Sequence, residues 1–255
     1  MDWISFRGGG YVLFLDPDDY LDNSAVEKMV AAAEKNRSEL VVCDKNMRYE
    51  NGKVKVRGYF PEFNSTTRVL SDDRYKYIFA RTGAVTNKLF RQSEIGQMRF
   101  NTDFAYGEDY IFLFEYLAKT QSAVIVPEPL YQYTVGRENS ATGTVRLNNR
   151  WLDFVDAVIW CYQHSGNNHK IRLVCANRLM TAIGFVSNKL VQCEKNDDLS
   201  YIQVAPFLRK IRSSIWTMCA EYIKINSTKV LVQTACLFIM PWLIWTTTKI
   251  RRRFR

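Results

Sequence analysis

The sequence has few of the residues that build zinc sites and disulfide frameworks. It has two histidines, His164 and His169, which flank a Gly-Asn-Asn turn between two predicted helices and are expected to be surface residues instead of metal ligands. None of the six cysteines forms a C-x-x-C pair, and most lie in apolar runs, as buried free thiols do. We therefore expect neither a zinc site nor a disulfide framework in this chain of 255 residues.

Internal repeats and low-complexity segments are also absent from the sequence. Charged residues make up 24% of the chain and hydrophobic residues 47%, which are ordinary values for a globular protein. Fibrous and disordered classes are thereby excluded. The length allows one large domain or two small ones with a sizeable core.

The charge balance is basic, with a formal net charge of +9, and the excess is concentrated at one end. Lys249 to Arg255 hold five basic side chains and no acidic one. Basic clusters bind nucleic acid, anionic lipid or phosphorylated substrates. This cluster adjoins an apolar segment instead of a recognition motif, so we expect no nucleic-acid partner.

The hydrophobic pattern predicts an α/β fold followed by helices. Up to about Tyr133, short apolar runs typical of strands alternate with helical patterns, and a mostly helical region follows. The run Tyr11–Leu15 predicts a strand covered on both faces, as in a parallel sheet. Ser24 and Glu27 form a capping-box pattern that predicts a helix start. The other predicted elements are a strand at Leu40–Cys43, a hairpin over Asn46–Tyr59, helices over Asp72–Arg81 and Glu108–Lys119, strands at Ala123–Val126 and Leu130–Tyr133, and helices at about 147–164, 170–192 and 199–224.

Two acidic segments are candidates for chemistry. Asp16-Pro17-Asp18-Asp19 follows the first strand directly, and three adjacent carboxylates favour a nearby cation such as Mg²⁺ or Mn²⁺ shared with substrate phosphates. A polar turn before a helix is the alternative reading. Glu108 and Asp109 open a predicted helix, where they are either a simple cap or a general base.

Four segments in the same order resemble the family 2 glycosyltransferases. They are G-x-Y-V-L-F-L-D-P-D-D-Y-L at Gly9–Leu21, Asn87-Lys88-Leu89-Phe90 with Arg99-Phe100, Tyr106-Gly107-Glu108-Asp109-Tyr110, and Pro127-Glu128-Pro129-Leu130-Tyr131-x-Tyr133 with Arg137-x-Asn139-Ser140-Ala141-Thr142. The resemblance covers roughly residues 8 to 142. It implies part of a GT-A fold, the Rossmann-like mixed sheet of nucleotide-diphospho-sugar transferases, in residues 1–142. A helical region at 143–228 and an apolar, basic-tailed helix at 229–255 would follow.

The resemblance also implies a role for each matching residue. Asp16 and Asp18 are expected to bind the sugar-nucleotide donor, with Asp18 on a divalent cation (Mn²⁺ or Mg²⁺) and Asp19 assisting. Asp109 is expected to be the catalytic base and Glu108 its neighbour. Arg137 is expected in a loop over the donor, unless that segment is only a polar turn. The implied reaction is inverting transfer of a sugar to an acceptor hydroxyl in cell-surface polysaccharide synthesis.

One part of the family fold is not matched in this sequence. The opening strands that form its nucleotide-binding half have no counterpart before Tyr11. We expect either a truncated sequence or a second chain that supplies this half. A catalytically inactive fragment or partner subunit is therefore the alternative function. Lys88 is expected to support the sheet or the substrate pocket, and Thr86 stands where relatives often have tryptophan.

The end of the chain predicts contact with a membrane. Val230 to Ile250 is almost wholly apolar, but Pro241 interrupts it, and the basic cluster follows. A single span would separate the catalytic part from cytosolic nucleotide sugars. We therefore expect a helix or broken hairpin lying on the cytoplasmic face of the inner or plasma membrane, on anionic lipid, near a glycan or lipid-linked acceptor. A buried core helix with a basic tail is the alternative.

Overall fold

The structure, a computed structural model, describes residues 9–70, 72–135, 150–196, 205–207, 209–210 and 213–214. The chain divides into two compact units, one of Met1–Asn101 with Glu108–Thr144 and one of Thr102–Gly107 with Val145–Arg255. The domain boundaries expected at 142 and 228 stay predictions. The expected membrane-associated segment, 229–255, lies outside the described residues.

The described part of the first unit contains seven strands and three helices around one mixed sheet. The strands are β1 (Tyr11–Leu13), β2 (Tyr20–Leu21), β3 (Leu40–Tyr49), β4 (Val54–Arg57), β5 (Thr67–Leu70), β6 (Lys88–Arg91) and β7 (Ser122–Val135). The helices are α1 (Ala25–Asn36), α2 (Gln92–Ile95) and α3 (Glu108–Lys119), with a π-helical turn at Tyr75–Phe79. The predicted α/β class is confirmed.

The sheet has the strand order β1-β6-β3-β7-β2, with β4 added on β3 and β5 on β7. β3 and β7 run parallel at its centre, and the remaining pairs are antiparallel. α1 packs its Met29 and Ala33 against Val41 and Val124 of the central strands, all of which are buried. This packing buries one face of the central strands.

The predicted parallel pairing of the first strand is wrong. β1 pairs antiparallel with β6, in register Val12↔Phe90, and its residues are only partly buried. An antiparallel strand can keep one face toward solvent, so a continuous apolar run does not require burial on both sides.

Two predicted strands are in fact one. β7 continues through Pro127 and Pro129, which the sequence placed between two separate strands. The pairing with β3 jumps from Cys43↔Val126 to Lys45↔Tyr131, so that a bulge carries β7 past the prolines. Proline lacks an N–H for the ladder and is tolerated at such an irregularity.

The local helix and turn predictions are confirmed with changes in detail. α1 begins after Ser24, but Ser24 makes no capping hydrogen bond, and the predicted capping box is wrong. Instead, the N–H and Oγ of Ser24 donate to Oδ1 of Asp22 at 3.0 and 2.7 Å. The β3–β4 hairpin turns at Gly52, whose φ of 79° suits glycine. The helix expected over Asp72–Arg81 is only a π-helical turn.

The second unit is helical where it is described. α4 (Arg150–Gln163) and α5 (His169–Asn196) confirm two predicted helices, and Asn168 Oδ1 accepts from two N–H groups that open α5. The third predicted helix is described only at 205–207, 209–210 and 213–214, which are helical. Among all described residues, no helix has the length and apolar character needed to cross a bilayer.

Candidate active site

The first acidic segment is a turn fastened to the central strand β7. The carboxylate of Asp19 is buried and accepts from Tyr131 Oη at 2.7 Å and from the N–H of Thr134 at 2.8 Å. Thr134 Oγ1 donates to the carbonyl oxygen of Asp18 at 2.6 Å. The N–H of Asp19 closes the turn on the carbonyl of Asp16 at 3.1 Å. Asp19 therefore positions the turn that carries Asp16 and Asp18.

The charge of Asp16 is disfavoured by its surroundings. Partial removal from water raises the pKa of Asp16, and the like charges of Asp19, Asp18 and Glu108 raise it further. The ammonium of Lys45 acts in the opposite direction. A carboxylate in such a place gains from a nearby cation or proton donor.

The second acidic segment is the first turn of α3, where the helix dipole favours negative charge. Burial nevertheless raises the pKa of Asp109 to about 7, and the like charges of Glu108 and Asp16 add to the effect. Lys88 and Lys45 oppose the rise. A carboxyl group with a pKa near neutrality is suited to take a proton from a hydroxyl and to release it again.

The two acidic segments lie within electrostatic range of each other. Asp16 contributes to the raised pKa of Asp109, and Glu108 contributes to that of Asp16. Lys45 is attracted by Asp19, Asp16 and Asp109 together. Residues about ninety positions apart in the sequence are therefore close enough in the fold for their charges to interact. Their individual roles stay predictions.

Lys45 is the site residue that sequence reasoning missed. It lies on β3 and is only 5% exposed, and its Nζ donates to Thr86 Oγ1 at 2.7 Å. The ammonium stands 4.9 Å from the ring centroid of Tyr131 and 5.4 Å from that of Tyr133. Burial lowers the pKa of Lys45 to about 8, against the attraction of the carboxylates. The feature of the sequence that could have identified it is a lysine placed between the apolar run Leu40–Cys43 and the predicted hairpin.

The segment before β6 supports this edge of the sheet. Asn87 has a φ of 58°, and its side-chain amide donates to the carbonyl oxygen of Cys43. Lys88 Nζ is buried and donates to Ala84 O at 2.5 Å and to Thr82 Oγ1 at 3.2 Å. The structure thus gives Lys88 the supporting contacts that the sequence analysis expected of it.

Two expectations receive no direct structural support. Arg137, like Asn139 and Ser140, lies outside the described residues. Within the described residues, no group of three or more His, Cys, Asp and Glu side chains is placed to hold a metal ion. Mg²⁺ and Mn²⁺ are often held by one or two carboxylates together with substrate phosphates, so Asp18 remains compatible with such a role.

The mixed sheet of this chain has the GT-A fold, which a solved structure shares. Residues 4–97 match the family model described as glycosyl transferase family 2. The predicted resemblance to the family 2 glycosyltransferases is confirmed over these residues, and the predicted fold is confirmed as well.

Solved structures and a curated relative agree with this class. The S. aureus TarS fragment 1–349 in complex with UDP shares the fold, with a TM-score of 0.63 and 14% identity over 99% of this chain and 69% of that one. The same fragment with UDP-GlcNAc gives a TM-score of 0.57 and 16% identity over 99% and 70%. The minor teichoic acid biosynthesis protein GgaB of Bacillus subtilis (strain 168) is 21% identical over 151 residues. That match covers 59% of this chain and only 16% of the length of GgaB.

Proposed function

We propose that this chain transfers a sugar from a nucleotide-diphosphate sugar to an acceptor hydroxyl, with inversion at the anomeric carbon. The observation that carries this proposal is the electrostatic coupling of the two acidic segments, in which Asp16 raises the pKa of Asp109 and Glu108 raises the pKa of Asp16. A donor lying between them would meet a group that binds its diphosphate and a group that deprotonates the acceptor. The family 2 match over residues 4–97 supports the same reaction class.

The chemical step follows from the state of Asp109. Its pKa of about 7 leaves an appreciable carboxylate fraction at neutral pH, while the group remains basic enough to accept a proton. The acceptor oxygen attacks the anomeric carbon and gives its proton to Asp109. The bond from that carbon to the phosphate oxygen breaks, and its electron pair leaves with the nucleoside diphosphate. A single displacement of this kind inverts the anomeric centre.

Asp18 is the proposed ligand of the divalent cation. Asp19 suits this role less well, because its carboxylate already accepts hydrogen bonds from Tyr131 and Thr134. When bound, Mg²⁺ or Mn²⁺ would offset the negative charge that grows on the departing diphosphate. Asp19 and Tyr131 instead hold the turn so that Asp18 and Asp16 stay at the edge of the sheet.

The biological setting is proposed from the relatives and from the sequence. The name of GgaB places that protein in teichoic acid biosynthesis, and TarS was solved with UDP and UDP-GlcNAc. We propose a UDP-sugar donor and an acceptor that belongs to a cell-surface polysaccharide. The apolar segment and basic cluster of residues 229–255 would hold the protein on the cytoplasmic membrane face. Sedimentation with anionic liposomes, compared with a variant ending at Ser227, tests this placement.

The reaction is tested by incubating the purified chain with UDP-GlcNAc and following the release of UDP. Release that depends on the protein and increases when an acceptor glycan is added is the expected result. Absence of both nucleotide binding and turnover, with the protein folded, would contradict the proposal. That outcome would favour the inactive fragment or partner subunit.

A further inference from the structure

Lys45 is a buried ammonium group with fewer partners than it has donors. An ammonium carries three N–H donors, and Thr86 Oγ1 is the one hydrogen-bond acceptor of Lys45 among the described residues. No carboxylate in the described residues forms an ion pair with it within 4.0 Å, although Asp16, Asp19 and Asp109 all attract it from farther away. The faces of Tyr131 and Tyr133 cover part of the charge.

Lys88 shows what a fully supported buried lysine looks like in the same sheet. It is also buried, and its Nζ has three oxygen acceptors, on Ala84, Thr82 and Asn87. All three belong to the segment that leads into β6, so the charge is met by the protein's own fold. Two buried lysines therefore differ in how many acceptors the described residues offer them.

A buried charge that is incompletely paired is costly, and cation–π contacts offset only part of the cost. Since the described residues offer Lys45 one acceptor, its remaining donors are available to oxygen atoms of a ligand. The neighbouring carboxylates repel other oxygen atoms that carry negative charge, and they therefore limit where the acceptors for Lys45 can lie. Asp16 and Asp19 stand toward the turn after β1, and Asp109 stands at the start of α3.

We propose that Lys45 is a donor-binding residue whose ammonium donates hydrogen bonds to oxygen atoms of the bound nucleotide sugar. This inference rests on the proposed function. A sugar diphosphate between the two acidic segments would otherwise face carboxylates that repel it, and Lys45 supplies a cation of the protein's own at this point. The acceptor oxygens are either those of the diphosphate or the hydroxyls of the sugar.

The experiment compares the substitution of the two lysines. UDP and UDP-GlcNAc are titrated calorimetrically, with Mn²⁺ present, into the full chain and into its Lys45→Met and Lys88→Met variants. Lys45→Gln serves as a second variant, because it keeps one donor for Thr86 without the charge. Thermal melting of each protein is recorded in parallel.

We expect both Lys45 variants to lose about tenfold or more in affinity for UDP-GlcNAc, because a charge-assisted hydrogen bond is lost. Their melting temperatures should stay equal or rise, since an under-satisfied charge leaves the interior. Lys88→Met should melt at a lower temperature, because Ala84 O, Thr82 Oγ1 and Asn87 Oδ1 all lose the donor that Lys88 supplies. Weakened UDP binding would assign the diphosphate, whereas weakening of UDP-GlcNAc alone would assign the sugar.

Unchanged affinity for both nucleotides in the folded Lys45 variants would overturn the inference. So would a loss of melting temperature in both variants as large as that of Lys88→Met, because Lys45 would then support the fold instead of a ligand. If the unaltered chain bound neither nucleotide, the proposed function itself would fail. The two failures are thus distinguishable.

Discussion

The two acidic segments of the site use the same residue type in opposite ways. Asp19 is held by Tyr131 and the N–H of Thr134, so its carboxylate is committed to shaping a turn. Asp109 opens α3 beside Glu108, and desolvation raises its pKa to about 7. Hydrogen bonds fix the position of the Asp19 carboxylate, whereas desolvation and the like charge of Glu108 disfavour the charged form of Asp109. The surroundings, and not the residue type, separate a structural aspartate from a candidate base.

The largest expected effect comes from removing the candidate base. Asp109→Asn should lower the rate of sugar transfer by about 100-fold or more, because the acceptor loses its proton acceptor. Donor affinity should stay nearly unchanged, since Asp109 acts on the acceptor. Steady-state turnover and calorimetric binding of UDP-GlcNAc check the two halves. Undiminished turnover would remove Asp109 from this role.

A smaller effect on nucleotide binding is expected from changes at the turn that carries Asp16 and Asp18. Removal of divalent cations with EDTA should weaken UDP-GlcNAc binding by about tenfold, because the diphosphate loses a counter-charge next to carboxylates. In Asp18→Asn the same EDTA treatment should have little further effect. Nucleotide affinity that is insensitive to EDTA in the unaltered chain would count against Asp18 as a metal ligand.

The structural role of Asp19 predicts a change in stability. Asp19→Ala removes the acceptor for Tyr131 and for the buried N–H of Thr134, and should lower the free energy of unfolding by about 1–3 kcal/mol. Tyr131→Phe removes only the bond from the tyrosine hydroxyl, so it should lower the free energy of unfolding by less than Asp19→Ala does. Urea unfolding of both variants gives the comparison. Equal stability of Asp19→Ala and the unaltered chain would show that the turn does not depend on this anchor.

Much of this arrangement could be predicted from the sequence, because the signals were local. The bounds of α3 agree with the predicted Glu108–Lys119, since its acidic first turn and apolar face are encoded in consecutive residues. The hairpin at Gly52 was equally local. The four family segments placed Asp16, Asp18 and Asp109 in one site without any knowledge of the fold.

What could not be predicted depends on contacts between distant residues. The continuity of β7 through Pro127 and Pro129 arises from a register shift against β3, which no local pattern records. The predicted capping box failed because the hydroxyl and N–H of Ser24 both donate to the carboxylate of Asp22, two residues earlier. The environment of Lys45 is formed by Thr86 and Tyr131, which are distant from it in the sequence and contact it only in the fold.

The claim that the two acidic segments share one site is tested most directly through their electrostatic coupling. A base must be deprotonated to act, so turnover should be low in acid and rise as the pH increases through about 7, the pKa of Asp109. Because the charge of Asp16 raises that pKa, the residual activity of Asp16→Asn should reach half its maximum at a lower pH. A midpoint that does not move, or moves upward, would contradict a shared site.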